Sequence, residues 1–175
     1  MATSIRPAIP DDARAIAAVH VASWRSAYRD LLPEQVLAGL SIEEREQMWR
    51  DGLAGEEPGS ALVAEDARQI IGFVGFGPSR DDDAPDYLGE VYALYVLPER
   101  WRSGLGRRLL EEAERSLREA GSEEARLWVL DTNEPAHRFY EAMGWRADGA
   151  RRREHLEGLE LSEVRYRRSL TAAPA

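Results

Sequence analysis

Apolar and polar positions follow two rhythms along this chain, and the changes of rhythm mark its elements. Ser4 to Ala8 reads as a short first strand. Asp11 follows as a helix N-cap, with Asp12 in the first turn. Ile16, His20, Trp24 and Tyr28 then recur at four-residue spacing, widened by Val19 and Ala27, which predicts one apolar helix face. Leu31-Leu32-Pro33 interrupts it. A second helical stretch, about Pro33 to Leu53 with a break near Gly39, carries Leu37, Leu40, Met48 and Trp49. Gly52 to Ser60 is a glycine-rich connection. Ala61 to Glu65 and Gln69 to Gly77 read as a hairpin, and Ser79 to Gly89 as an acidic loop. Val91 to Leu97 is apolar on both faces, as a central strand is.

The helix after Gly106 has Leu105, Leu109, Ala113 and Leu117 on one stripe. Glu111, Glu112, Glu114, Arg115 and Arg118 mostly face water in that reading, and Gly121 ends the helix. Ala125 to Leu130 is a strand, Asn133 to Met143 a helix closed by Gly144, and Trp145 to Asp148 and Ser162 to Arg168 the last two strands. Alternating strands and helices predict a layered α/β domain over residues 1–170, with 171–175 as a flexible tail.

Chemistry concentrates between Glu90 and Leu110. An apolar strand runs into a turn with Gly104 and Gly106 and then into the amphipathic helix. Such a turn points free backbone N–H groups at whatever precedes the helix. A helix N-terminus carries roughly half a positive charge, so a phosphate or pyrophosphate is the natural guest. Arg102, Arg107 and Arg108 add mobile positive charge. Two better-known phosphate motifs do not fit. The dinucleotide fingerprint needs a glycine where Leu109 stands, and the P-loop needs a lysine. All 23 basic residues are arginine, so a Schiff-base lysine is excluded too.

Composition narrows the field. The chain has 175 residues, 43% hydrophobic and 31% charged, enough for one buried core. It has no cysteine, which removes disulfides and thiolate chemistry, and its three histidines show no metal-ligand spacing, so no metal is expected. A net charge of −9 argues against general affinity for nucleic acid or anionic membrane. No apolar run approaches a bilayer span of roughly 20 residues, and the N-terminus lacks a signal-peptide core, so a cytoplasmic location is expected.

A second segment, Leu127 to Trp145, completes the pattern. Asn133 stands where a strand ends and a helix begins, and Asn133, His137 and Tyr140 share a helix face at i, i+4, i+7. Together the two segments resemble the GNAT superfamily of acetyl-CoA-dependent N-acetyltransferases. The family's loop reads Gln or Arg, two residues, Gly, one residue, Gly or Ala. Here it reads Trp101-Arg-Ser-Gly-Leu-Gly106, so the glycines match and the first position does not. Asn133, Ala136, Tyr140, Gly144 and Trp145 match the family's second pattern.

The resemblance implies a central mixed, mostly antiparallel twisted sheet of about seven strands flanked by about four helices. It implies acetyl-CoA as co-substrate, held by the backbones of Leu94, Tyr95 and Val96, by Arg102, Ser103, Gly104, Leu105, Gly106 and Arg107, and by Asn133. An N–H near Leu94 would stabilise the oxyanion, Tyr140 would protonate the departing thiolate, and Glu90 would accept the amine proton. The acceptor would be a primary amine, and the protein a monomer or homodimer. A non-catalytic acyl-CoA sensor on the same fold is the alternative.

Each residue also has a plainer reading. Tyr140 fits a core tyrosine, and Glu90 a strand-end carboxylate facing solvent. His137 reads as a surface residue and His20 as packing against the helix. The Asp81–Asp83 run is a solvated loop or a lure for a cationic amine. Arg151 to Arg153 reads as a charged turn. Trp24, Tyr28 and Trp49 line an acceptor pocket or pack the core.

Overall fold

The computed structural model describes residues 3–55, 60–82, 84–156 and 158–171. Seven strands form one sheet in the order β1-β2-β3-β4-β5-β7-β6. They are β1 (Ser4–Pro7), β2 (Ser60–Asp66), β3 (Gln69–Pro78), β4 (Leu88–Val96), β5 (Glu124–Leu130), β6 (Arg146–Leu156) and β7 (Leu159–Ser169). Every neighbouring pair is antiparallel except β4 and β5, which run parallel. Helices α1 (Ala13–Ala27), α2 (Glu34–Ala38) and α3 (Ile42–Ala54) cover one face, α4 (Leu105–Glu119) and α5 (Glu134–Ala142) the other. Five α-helices stand where about four were expected, because the 33–53 stretch divides at Gly39.

Two packed layers hold the sheet. Leu105, Leu109, Ala113 and Leu117 of α4 pack on Val74, Phe76, Val91 and Val96, and on Ala125, Leu127 and Val129 of β5. On the other face Ile16 and Val19 of α1 meet Val63, Ile70 and Phe73. Burial of this apolar stripe is what fixes α4, since most helical stability comes from such packing.

Several sequence expectations need correction. Asp12, not Asp11, organises the start of α1: its carboxylate accepts the Ile9 N–H at 2.9 Å and two bonds from Arg6, at 2.7 and 2.9 Å. Arg6 holds the Asp12 carboxyl below its ordinary value. The last two strands run to 11 residues each, so Arg151 to Arg153 lie within β6 rather than in a turn. Polar residues on both faces hid this length from the alternation. Glu114 does not face water. It is 4% exposed, accepts the Trp145 indole N–H at 2.9 Å, and stands 3.4 Å from Arg168. Burial raises its pKa, against Trp145 and Arg168. Of the connection 52–60, Gly52 closes into α3, and 56–59 lie outside the described residues, as do Asp83 and all but Thr171 of the proposed tail.

Candidate active site

The parallel pair is short. Leu88, Gly89 and Glu90 meet Glu124, Ala125 and Arg126, and beyond them β4 and β5 are no longer paired. The edge of β4 that faces this gap follows from its other neighbour. Leu97 donates to the Ile71 carbonyl at 2.9 Å, so the polar groups of Val96 and Leu94 point away from β3 and into the gap. An extended ligand could add to that edge as a strand does.

The Val96 carbonyl is not free, however. The Trp101 indole donates to it at 2.7 Å and the Ser23 hydroxyl at 2.9 Å. Of the expected backbone contacts, the Val96 N–H and both groups of Leu94 remain available. Trp101, which breaks the family pattern, therefore braces the loop against β4 through its own N–H. Tyr95 points its side chain to the α1 face, where it stacks on His20 with centroids 5.0 Å apart.

At the mouth of the gap the loop 101–104 feeds α4. Gly104 is the N-cap at φ +81°, with no side-chain cap, and an added Cβ there meets nothing within 4 Å. The first intrahelical acceptor is used at Arg108, whose N–H bonds the Gly104 carbonyl at 3.1 Å. The N–H groups of Leu105, Gly106 and Arg107 precede that bond, so the helix itself supplies them no partner. Only one of the two glycines is demanded by backbone shape. Gly106 has no positive φ and would merely touch Phe139 at 3.7 Å, whereas Arg102 itself takes φ +62°. The neighbouring polar groups are partly committed. Ser103 donates to the Arg100 carbonyl at 2.6 Å, Arg107 pairs with Glu111 at 2.8 Å, and Arg108 donates to the Thr3 carbonyl at 3.1 Å. Arg102 has no ion-pair partner among the described residues.

Across the gap Asn133 caps α5, its Oδ1 accepting the Ala136 N–H at 3.3 Å. Tyr140 lies two turns on and packs against Trp145, centroids 6.2 Å apart. Burial and then the Tyr28 hydroxyl push its phenol above the ordinary value. Tyr28, buried at the end of α1, also faces Tyr95 and Asn133. Burial raises its phenol against both of those contacts. Burial, then Tyr28, raises the Tyr95 phenol further, and the Trp24 indole nitrogen lies beside it without completing a hydrogen bond. Three phenols and one amide thus converge at the gap. In the sequence Tyr28 read as part of an apolar stripe, lining an acceptor pocket or packing the core.

The register explains Glu90. Ala93 opposes Gly75 and Val91 opposes Phe76, so Tyr92 is an extra residue in β4, a β-bulge. Val91, Leu94 and Val96 consequently share the α4 face, while Glu90, Ala93 and Tyr95 share the α1 face. Glu90 is not a solvent-facing strand end. It is 2% exposed, accepts the Arg80 N–H at 2.8 Å, and pairs with the Arg80 guanidinium at 3.1 Å. The next residue, Asp81, is no loose lure either. Arg126 at 3.1 Å, Arg165 at 3.0 Å and the Trp128 indole at 3.3 Å all donate to it. Burial opposes its charge, but these donors outweigh burial and hold its carboxyl below the ordinary value.

His137 is half-buried rather than a surface residue. Its Nδ1 lies 2.9 Å from the Tyr166 hydroxyl and its Nε2 lies 3.1 Å from the Asp131 carbonyl. Tyr166 also donates to Glu141 at 3.0 Å, so α5 is pinned to β7 on both sides of Tyr140. His20 packs as expected, but against the sheet. It is 7% exposed, accepts the Trp49 indole N–H at 3.4 Å, and burial, with Arg45 nearby, pulls its pKa down to about 3. A recess of about 610 Å³ lined by Arg25, Arg29, Glu34, Leu37 and Ala38 involves no residue of the gap. Among the described residues no cluster of His, Asp and Glu is arranged to hold a metal, and no helix is long and apolar enough to cross a membrane.

A sheet split between a bulged β4 and β5, with an uncapped helix at its mouth, is the arrangement that the resemblance to the N-acetyltransferases implies. Comparison with known proteins agrees. Residues 21–145 match the model of the Acetyltransferase (GNAT) family. The chain belongs to that family and is an acetyltransferase. It is 38% identical to the "Uncharacterized N-acetyltransferase YuaI" of Bacillus subtilis, over 79% of this chain and 78% of that one. It is 33% identical to the "Probable N-acetyltransferase Rv2775" of Mycobacterium tuberculosis, over 97% and 95%. In fold it is similar to the PaiA N-acetyltransferase of Thermoplasma acidophilum in complex with coenzyme A, with TM-score 0.73, 22% identity, and 97% and 99% coverage. It is likewise similar to YncA of Salmonella typhimurium with its cofactor acetyl-CoA, with TM-score 0.72, 21% identity, and 100% and 98% coverage.

Proposed function

We propose that this enzyme transfers an acetyl group from acetyl-CoA to a primary amine by direct attack in a ternary complex. The observation that carries this reading is the gap after Glu90 and Arg126, which exposes the edge of Leu94 and Val96 beside the uncapped start of α4. The Leu105, Gly106 and Arg107 N–H groups suit a pyrophosphate, and Arg102 adds charge. The edge of β4 suits the amide-rich arm between pyrophosphate and thioester. Structures of two fold neighbours with CoA or acetyl-CoA support the same co-substrate.

Glu90 takes one proton from the bound ammonium, leaving a neutral amine. The amine nitrogen attacks the thioester carbon, and the Leu94 N–H faces the oxygen that gains charge. The carbon–sulfur bond then breaks, Tyr140 gives its phenolic proton to the thiolate, and the second proton that the nitrogen sheds on becoming an amide restores the Tyr140 phenol. The raised pKa of that phenol keeps it protonated until then. The test is release of free CoA thiol from acetyl-CoA with a panel of primary amines. Amine-dependent release, slowed in Glu90→Gln, is expected. Binding of acetyl-CoA without release for any amine would instead favour a sensor.

A further inference from the structure

We propose that the Arg80 guanidinium occupies the cation site of the acceptor, and that the substrate is a cationic amine which displaces it. The site has two walls. One is the buried Glu90 carboxylate, with Oε1 at 3.1 Å from the guanidinium. The other is the ring of Tyr92, whose centroid lies 4.0 Å from the guanidinium carbon. A carboxylate beside an aromatic face is the chemistry that holds an ammonium as readily as a guanidinium. Both walls come from the bulge in β4. It turns Glu90 toward the α1 face and leaves Tyr92 unpaired with β3. The Tyr92 hydroxyl donates to the Pro78 carbonyl at 2.5 Å, which fixes the ring.

The asymmetry of the pair makes the guanidinium the part that leaves. Glu90 is buried, whereas the Arg80 side chain is 61% exposed. An ion pair with one end in water is weak, because water replaces what the guanidinium loses. The backbone does not move with it. The Arg80 N–H holds Oε2 at 2.8 Å, and the adjacent Asp81 is fastened by Arg126, Arg165 and Trp128. Rotation of one side chain therefore frees Oε1 alone. Arg126, which stands opposite Glu90 in the β4–β5 register, pairs through Nη1 with Asp81 instead. A charged amine gains the pairing with Glu90 and competes only with a guanidinium that is already largely in water. A neutral ligand leaves a buried carboxylate uncompensated.

This inference rests on the acetyltransferase reading, and the test separates the two. Arg80→Met and Arg80→Gln are assayed with the wild type for CoA thiol release from 2-phenylethylamine, spermidine and glycinamide. Acceptor KM is expected to fall by about tenfold in both variants, the factor for a site blocked in about nine molecules of ten. The gain should vanish in Arg80→Met/Glu90→Gln, and the rise in Tm with acetyl-CoA should be unchanged. No fall in KM for any amine, in variants that keep that rise, overturns the proposal. Absence of the rise in the wild type overturns the acetyltransferase reading instead. If both variants fail to fold, the isotope-labelled wild type with CoA decides. Saturating 2-phenylethylamine should move the Arg80 Nε–H resonance and speed its exchange, and an unmoved resonance overturns the proposal.

Discussion

Tyr140 is half-buried, and burial raises its phenol, so in the proposed mechanism the group arrives protonated at the step where a thiolate must leave. Loss of the hydroxyl should appear in turnover rather than in binding. Tyr140→Phe is expected to lower kcat by about 100- to 10,000-fold, the range of a general acid, with acetyl-CoA affinity nearly unchanged. Steady-state rates and a titration of acetyl-CoA check this, and unaltered turnover would leave Tyr140 a packing residue against Trp145. His20 gives a stability test at the same scale. Its folded pKa of about 3 lies below the ordinary 6.5, so the unfolded chain binds the extra proton between those values. Stability from this group is complete above pH 6.5 and is lost as the pH falls toward 3. Between pH 7 and pH 5 the linkage amounts to about 2 kcal/mol. His20→Phe should therefore lose less stability than wild type over that interval, by about that amount. Equal losses in urea unfolding at the two pH values would mean that His20 charges freely in the fold.

At the scale of elements, α4 and its turn carry the proposed pyrophosphate site. Gly104 is at φ +81°, where a side chain costs roughly 1–2 kcal/mol. Nothing else within 4 Å would meet its Cβ, so in the free protein the cost is backbone strain alone. With acetyl-CoA the same side chain would crowd the space over the uncapped N–H groups. Gly104→Val should lower the Tm of the free protein modestly and shrink the further rise that acetyl-CoA produces. An undiminished rise would place the pyrophosphate elsewhere. This turn was legible in the sequence because a glycine just before an amphipathic stripe marks a helix start, although only Gly104 of the two glycines takes the left-handed conformation. The central strand and Asn133 as an N-cap were legible for the same reason, since local chemistry decides them. The cation site was not. Arg80, Glu90 and Tyr92 meet through a bulge, and a bulge changes which face a residue serves without changing its neighbours in sequence. The length of β6 and the burial of Glu114 were hidden likewise, because Trp145 and Arg168 supply the partners from 31 and 54 residues further on.

At the scale of the molecule the sheet is two unequal halves, β1 to β4 and β5 to β7, joined by three residues of parallel pairing and by the layer of α4. A ligand between β4, the start of α4 and α5 would touch both halves and stabilise their union. Acetyl-CoA at about 100 times its Kd adds roughly 2.7 kcal/mol if it binds only the folded chain. For a domain of this size each kcal/mol raises Tm by about 2–4 °C, so a rise of about 5–11 °C is expected. The rise alone does not locate the ligand, but amide exchange does. The N–H groups of residues 105–107 have no intrahelical acceptor and should exchange quickly in the free protein. Acetyl-CoA should slow them strongly, together with Leu94 and Val96 on the edge of β4, and should leave the distant β1–β2 pair little changed. Protection at 105–107 without protection of β4 would put only the pyrophosphate in the site. A rise in Tm with no slowing at either place would move the binding site away from the gap altogether.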